Sequence, residues 1–317
     1  MLISWALALG GIALLFGGGE ALVRGAVALA SRIGVPPLVI GLTVVGFGTS
    51  APELVVSVGA ALQGQDDLAI GNIVGSNIAN ILLILGLSAV ISPLAVQEQV
   101  FRRDGVVMVA ASLALAGLAL LGAIDRWAGA LLVVGLAVFV VAAYVSGRRE
   151  EAQARAYAAE AEELKDVPLS GRAATLASVT GLILLVIGAR MLVTGAVDLA
   201  HSFGVPEAVI GLTLVAVGTS LPELAVSLIA AVRGHSDVAV GNVVGSNIFN
   251  ILGIIGVAAL VSPLSFGGRM ASIDVWVMVA VAAASMVLLR TGWRLSRWEG
   301  IACLIAYGVY SASMFAA

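Results

Sequence analysis

The chain has 317 residues, of which 61% are hydrophobic and 11% charged, with a net charge of −3. Soluble domains carry about a quarter charged residues, so this composition excludes a soluble enzyme. It also excludes a disordered chain, which needs few apolar residues and high net charge. Sixteen basic against nineteen acidic residues leave no basic surplus for nucleic acid. The one cysteine, Cys303, cannot close an internal disulfide and reads as a small apolar residue.

A membrane-crossing helix needs about 20 mostly apolar residues. In chain order, such runs are expected at 3–29, 37–62, 69–92, 105–123 and 127–146. After a polar centre they recur at 174–200, 207–232, 239–262, 271–290 and 297–316. The first run has no basic n-region and no A-x-A site, so it reads as a span and not as a cleavable signal. The expected fold class is thus an all-α integral membrane protein of ten transmembrane helices. Its expected domains are 1–146, a linker at 147–173 with a short Ala/Glu-rich surface helix, and 174–317. Arg32, Arg102, Arg103, the central loop, Arg233, Arg290, Arg294 and Arg297 fall on one side of this topology. Only Arg126 and Arg269 lie in loops on the other. The positive-inside rule makes the first side cytoplasmic and puts both termini outside a cell (inner) membrane.

Residues 34–93 align without a gap to residues 204–263, at a constant offset of 170, with 37 of 60 positions identical. The first copy reads GLTVVGFGTSAPE and GNIVGSNIANIL, the second GLTLVAVGTSLPE and GNVVGSNIFNIL. Five spans separate equivalent points. An odd number reverses direction, so the two five-helix repeats are expected to be inverted, an architecture that puts binding sites near the midplane.

Glu53 and Glu223 lie deep in the second and seventh spans, where an ionisable group is costly and marks function. Matched in inverted halves, they point to one shared cation site. Thr49 lies four residues before Glu53, on the same helix face, and Ser76 lies four before Asn80. Thr219 with Glu223, and Ser246 with Asn250, repeat the pattern, and Ser50 and Ser220 add hydroxyls or bond back to their own helices. These are hard oxygen donors suited to Ca²⁺, Na⁺ or Mg²⁺. Pro52 and Pro222 precede the glutamates, and with Gly46, Gly48, Ala216 and Gly218 nearby they are expected to kink or unwind the span. The pairs Gly71–Gly75 and Gly241–Gly245 read as close helix packing. Asn72, Asn77, Asn242 and Asn247 read mainly as cross-helix hydrogen bonders. Glu20, Arg24 and Arg190 read as snorkelling side chains, pairing at a helix interface being the alternative.

The paired GTSxPE and GNxxGSN motifs resemble the two alpha repeats of the cation/Ca²⁺ exchanger superfamily, in particular prokaryotic Na⁺/Ca²⁺ exchangers. The resemblance implies a Na⁺-driven Ca²⁺ antiporter without a cofactor, in which the first and sixth helices slide against the rest. It implies Ca²⁺ coordination by Glu53 and Glu223, assisted by Thr49 and Thr219. It implies one Na⁺ site using the Gly46 carbonyl, Thr49, Glu53 and Ser76, and another using the Ala216 carbonyl, Thr219, Glu223 and Ser246. Asn80 and Asn250 would border the central position. Relatives that use K⁺ carry Asp at the position of Asn250, so two asparagines make K⁺ co-transport less favoured. The expected partners are Ca²⁺, Na⁺ and the bilayer, with no obligate protein partner.

A proton- or K⁺-coupled exchanger of Ca²⁺ or another divalent ion is the alternative within transport. A channel is disfavoured because single glutamates in two halves do not make a filter ring. An intramembrane enzyme is disfavoured because no general base stands beside Ser50 or Ser220: His201 and His235 fall at span ends.

Overall fold

The computed structural model describes residues 1–98, 100–158, 169–203 and 218–315. In chain order the helices are α1 (Leu2–Ile33), α2 (Pro37–Thr49), α3 (Ala51–Leu62), α4 (Asp66–Ile91), α5 (Val100–Leu121) and α6 (Arg126–Ala158). After the polar centre come α7 (Gly171–Ser202), α8 (Leu221–Val232), α9 (Ser236–Val261), α10 (Met270–Trp293) and α11 (Arg297–Phe315). Among the described residues, seven helices are long and apolar enough to cross a membrane, and the bent pair α2–α3 raises this to eight. The first half of the matching second bent segment, 204–217, lies outside the described residues. Helix α6 runs through to Ala158, past the expected span end at 146, so the start of the expected linker continues that helix.

Four two-residue strands close the helix ends. Strand β1 (Leu94–Ala95) pairs antiparallel with β4 (Arg294–Leu295), and β2 (Ala123–Ile124) pairs with β3 (Leu264–Ser265). Each pair joins one sequence repeat to the other.

Helices α4 and α9 form the centre, buried over 78% and 83% of their apolar stretches, against 22% for α6 and 28% for α7. Alanine, glycine and serine dominate the buried faces of α1 and α7, because without a hydrophobic drive between helices close backbone approach supplies the attraction. A Cβ at Gly11 would stand 2.5 Å from the Leu192 amide nitrogen, and one at Gly181 would stand 2.6 Å from that of Leu22. Gly18 meets Leu185 and Gly188 meets Leu15 in the same way, while Gly25 meets Ala174 and Gly195 meets Ser4 and Ala8. Early residues of α1 thus touch late residues of α7, so the two helices run antiparallel. The expected packing role of Gly241 and Gly245 also holds: both press against the backbone of α2 at Leu38 and Leu42. The segment that would face Gly71 and Gly75 by symmetry falls in 204–217. Cys303 is buried against Gly86, as a small core residue would be.

Candidate cation site

The second span breaks by 47° between Thr49 and Ala51, at Ser50. The expected kink is present, but Pro52 does not interrupt a helix interior. It occupies the opening turn of a fresh helix, where its missing N–H has no partner to lose. Glu53 therefore sits in the first turn of α3 and Glu223 in the first turn of α8, also behind a proline. A helix N-terminus carries partial positive charge, which favours a carboxylate there. Both glutamates are 0% exposed.

Each carboxylate is clamped by the other repeat. The Ser50 hydroxyl donates to Glu223 Oε1 at 2.8 Å, and the Ser220 hydroxyl donates to Glu53 Oε1 at 3.2 Å. Neither serine spends its proton on its own helix. Asn72 and Asn242 fasten the glutamate helices to their neighbours. Asn72 Nδ2 donates to Ser57 Oγ at 3.0 Å and to the Glu53 carbonyl at 3.4 Å, and Asn242 Nδ2 donates to Ser227 at 2.9 Å and to the Glu223 carbonyl at 3.2 Å.

The Gly46 carbonyl accepts from the Ser246 hydroxyl at 3.1 Å, with Thr49 Oγ1 at 3.3 Å. Ser76 lies 3.3 Å from Ser220. The Gly46 carbonyl thus meets Ser246, and Ser76 meets Ser220, each across the two repeats. Thr49 also donates to Asn242 Oδ1 at 3.1 Å. Asn80 and Asn250 are 1% and 0% exposed and converge from α4 and α9. Ala216 lies outside the described residues.

Among the described residues, eight buried side-chain polar atoms have no hydrogen-bond partner, and five belong to this cluster: Glu53 Oε2, Glu223 Oε2, Asn80 Oδ1, Asn250 Oδ1 and Thr219 Oγ1. Buried polar atoms are nearly always paired, so five free oxygens in one place form an acceptor-rich cage suited to a hard cation. Among the described residues no group of three or more His, Cys, Asp or Glu side chains could hold a metal. The cluster is built from two carboxylates, amides and hydroxyls.

The sequence reading missed the π-turns that begin at Asn80 and Phe249. It also missed Met108 and Met278, which stand 3.6 and 3.7 Å from Asn247 and Asn77. Glu20 does not snorkel. It pairs with Arg24 at 2.6 Å and, from α1 across to the end of α8, with Arg233 at 2.9 Å.

Comparison with known proteins gives the same picture. A family model described as sodium/calcium exchanger protein matches residues 3–145 and 173–316. Inner membrane protein YrbG of Escherichia coli K12 is 38% identical over 95% of this chain and 92% of its own length. Sodium/calcium exchanger MaX1 of Methanosarcina acetivorans is 34% identical over 96% of each chain. Solved structures of the sodium-calcium exchanger NCX_Mj also superpose. With crystals soaked with zero Na⁺ and Ca²⁺, the TM-score is 0.84 at 32% identity over 99% of each chain. With crystals soaked with 10 mM Na⁺ and 10 mM Sr²⁺, it is 0.83 at 31% identity over 98% of each. Family match, full-length relatives and shared architecture agree: this multi-pass membrane chain is a transporter, not an enzyme, and belongs to the sodium/calcium exchanger family.

Proposed function

We propose that the chain is a secondary active antiporter that exchanges Na⁺ for Ca²⁺ by alternating access, at a midplane site built on Glu53 and Glu223. Its frame is ten helices in two inverted five-helix repeats, residues 1–146 and 174–317, with the 147–173 loop cytoplasmic and both termini outside. The observation that carries this reading is the cluster of five buried oxygens without a partner among the described residues, one from each glutamate among them. Two carboxylates supply a formal charge of −2, which one Ca²⁺ neutralises without a proton. Na⁺ ions bound by the same oxygens exclude Ca²⁺, and mutual exclusion at one site is the minimum requirement of antiport.

The serines hold one oxygen of each carboxylate and leave the other for the ion. Thr49, Thr219, Ser76, Ser246, Asn80, Asn250 and the carbonyls of Gly46 and Ala216 complete the oxygen set. Access alternates when α1 and α7, packed together along their length, shift as one body against the core.

The test is uptake of radiolabelled Ca²⁺ into proteoliposomes under an imposed Na⁺ gradient, with K⁺ and pH varied. Na⁺-dependent uptake indifferent to K⁺ supports the reading. Uptake driven by a proton gradient alone overturns Na⁺ coupling and favours the proton-coupled alternative.

A further inference from the structure

Between α4 and α9, the core contains a clasp of asparagines. Asn77 of α4 and Asn247 of α9 are both 1% exposed. Asn77 Nδ2 donates to the Asn247 carbonyl at 3.3 Å, and Asn247 Nδ2 donates to the Asn77 carbonyl at 3.4 Å. Each Oδ1 then accepts from the asparagine three residues further along the opposite helix. Asn250 Nδ2 donates to Asn77 Oδ1 at 2.9 Å, and Asn80 Nδ2 donates to Asn247 Oδ1 at 3.0 Å. Beside each clasp nitrogen lies a methionine sulfur, Met278 Sδ at 3.7 Å from Asn77 and Met108 Sδ at 3.6 Å from Asn247.

A carboxamide has one acceptor oxygen and one donor nitrogen of nearly the same size, so its two orientations differ only in hydrogen bonding. Turning Asn80 over would set its oxygen against the Asn247 oxygen and aim two N–H donors at a cation. With the nitrogens of Asn80 and Asn250 consumed by the clasp, their oxygens face away from it and have no partner among the described residues.

We infer that Asn77 and Asn247 are positioning residues for cation binding: they fix which atom of Asn250 and Asn80 meets the ion. Each of their own oxygens accepts from a neighbouring amide, and the oxygens without a partner among the described residues are those of Asn80 and Asn250. Met108 and Met278 serve the clasp as weak, uncharged acceptors. They can engage its nitrogens without adding charge beside a site whose fixed charge is set by two carboxylates. The inference rests on the proposed site at Glu53 and Glu223.

The experiment is a double-mutant cycle on the full chain in proteoliposomes, reading Ca²⁺ half-saturation and maximal exchange rate separately. Asn77→Leu raises the half-saturation concentration by about tenfold and changes the maximal rate less than about threefold. In an Asn250→Ala background the same substitution adds less than about twofold, because its target is gone. Asn77→Asp retains the acceptor for Asn250 and raises the half-saturation concentration less than Asn77→Leu does. An equal effect of Asn77→Leu in both backgrounds, or a fall in maximal rate alone, overturns the inference. So does a rise with Asn77→Asp matching that with Leu. Where Asn77→Leu does not fold, Asn247→Leu with Asn80→Ala is read by the same criterion, and Asn77→Asp is read alone. Glu53→Gln is run alongside: Ca²⁺ exchange surviving in that variant overturns the site itself, whereas an additive cycle with inactive Glu53→Gln overturns only the clasp.

Discussion

The hydrogen-bonded core and the seam that joins it to the α1–α7 pair differ in how they keep the twofold relation between the repeats. In the core, three pairs of bonds recur at the 170-residue offset: Ser50 with Glu223 and Ser220 with Glu53, Asn72 with Ser57 and Asn242 with Ser227, Asn80 with Asn247 and Asn250 with Asn77; the Thr49 bond to Asn242 is not repeated at Thr219 among the described residues. Within the α1–α7 pair the glycine contacts recur as well. Between the two bodies they do not. Gly48 and Gly218 are equivalents, yet their nearest neighbours are Leu182 and Val193, both on α7. Gly19 presses on Ile229 of α8, while Gly59, the equivalent of Ile229, meets nothing within 4 Å. Glu20 binds Arg233, and the matching positions hold Arg190 and Gln63, which cannot form an ion pair. Two bodies, each largely symmetric internally among the described residues, are thus docked off a common axis. The proposed alternating access needs such an arrangement: a site that stays the same while its cover takes one of two positions.

Four pairs of substitutions probe that contrast, in falling order of effect. Glu53→Gln or Glu223→Gln lowers Ca²⁺ exchange by at least about a hundredfold in a folded protein, since each removes half the site charge. Proteoliposome flux measures it, and both variants are expected to fail alike. Gly11→Ala and Gly181→Ala insert a methyl against backbone at equivalent points of the α1–α7 seam. Each costs about 2 kcal/mol, read as a matched drop in thermal unfolding temperature in detergent; unequal losses break the internal symmetry of the pair. Ser50→Ala and Ser220→Ala free one carboxylate oxygen each and weaken Ca²⁺ half-saturation by about tenfold; a silent member of the pair dissolves the cross-repeat clamp. Arg233→Gln releases the Glu20 contact, a partly exposed ion pair worth at most about 1 kcal/mol. It shifts the ratio of Ca²⁺ half-saturation measured from the two membrane faces by about threefold. Gln63→Glu, which offers Arg190 a partner, shifts the ratio the opposite way; a shift in the same direction contradicts the off-axis docking.

Much of this was legible in the chain. Membrane residence follows from composition, and the proposed shared site was suggested by two glutamates placed alike in the two sequence copies. What escaped depends on depth and orientation, which periodicity does not carry. The hydrogen bond from Ser246 to the Gly46 carbonyl follows from the interlocking of α2 with α9 through Gly241 and Gly245, which spacing within one repeat does not carry. Pro52 signalled a break, yet only the structure places it at the start of a new helix with the serine at the corner. The π-turn at Asn80 leaves no mark in hydrophobic pattern, because the residues around it are apolar on every side. Met108 and Met278 look like any core methionine until Asn247 and Asn77 are found beside them. Glu20 gave no sign of its partner, since Arg233 lies 213 residues away.

The central claim is that Glu53 and Glu223 make one site shared by Ca²⁺ and Na⁺. Equilibrium binding of radiolabelled Ca²⁺ to the purified full chain, titrated with Na⁺, tests it most directly when wild type is compared with Glu53→Gln and Glu223→Gln. The account predicts that Na⁺ displaces Ca²⁺ from wild type and that either substitution alone abolishes the displaceable binding. A folded Glu53→Gln or Glu223→Gln protein that binds Ca²⁺ with wild-type affinity, still displaced by Na⁺, would contradict it.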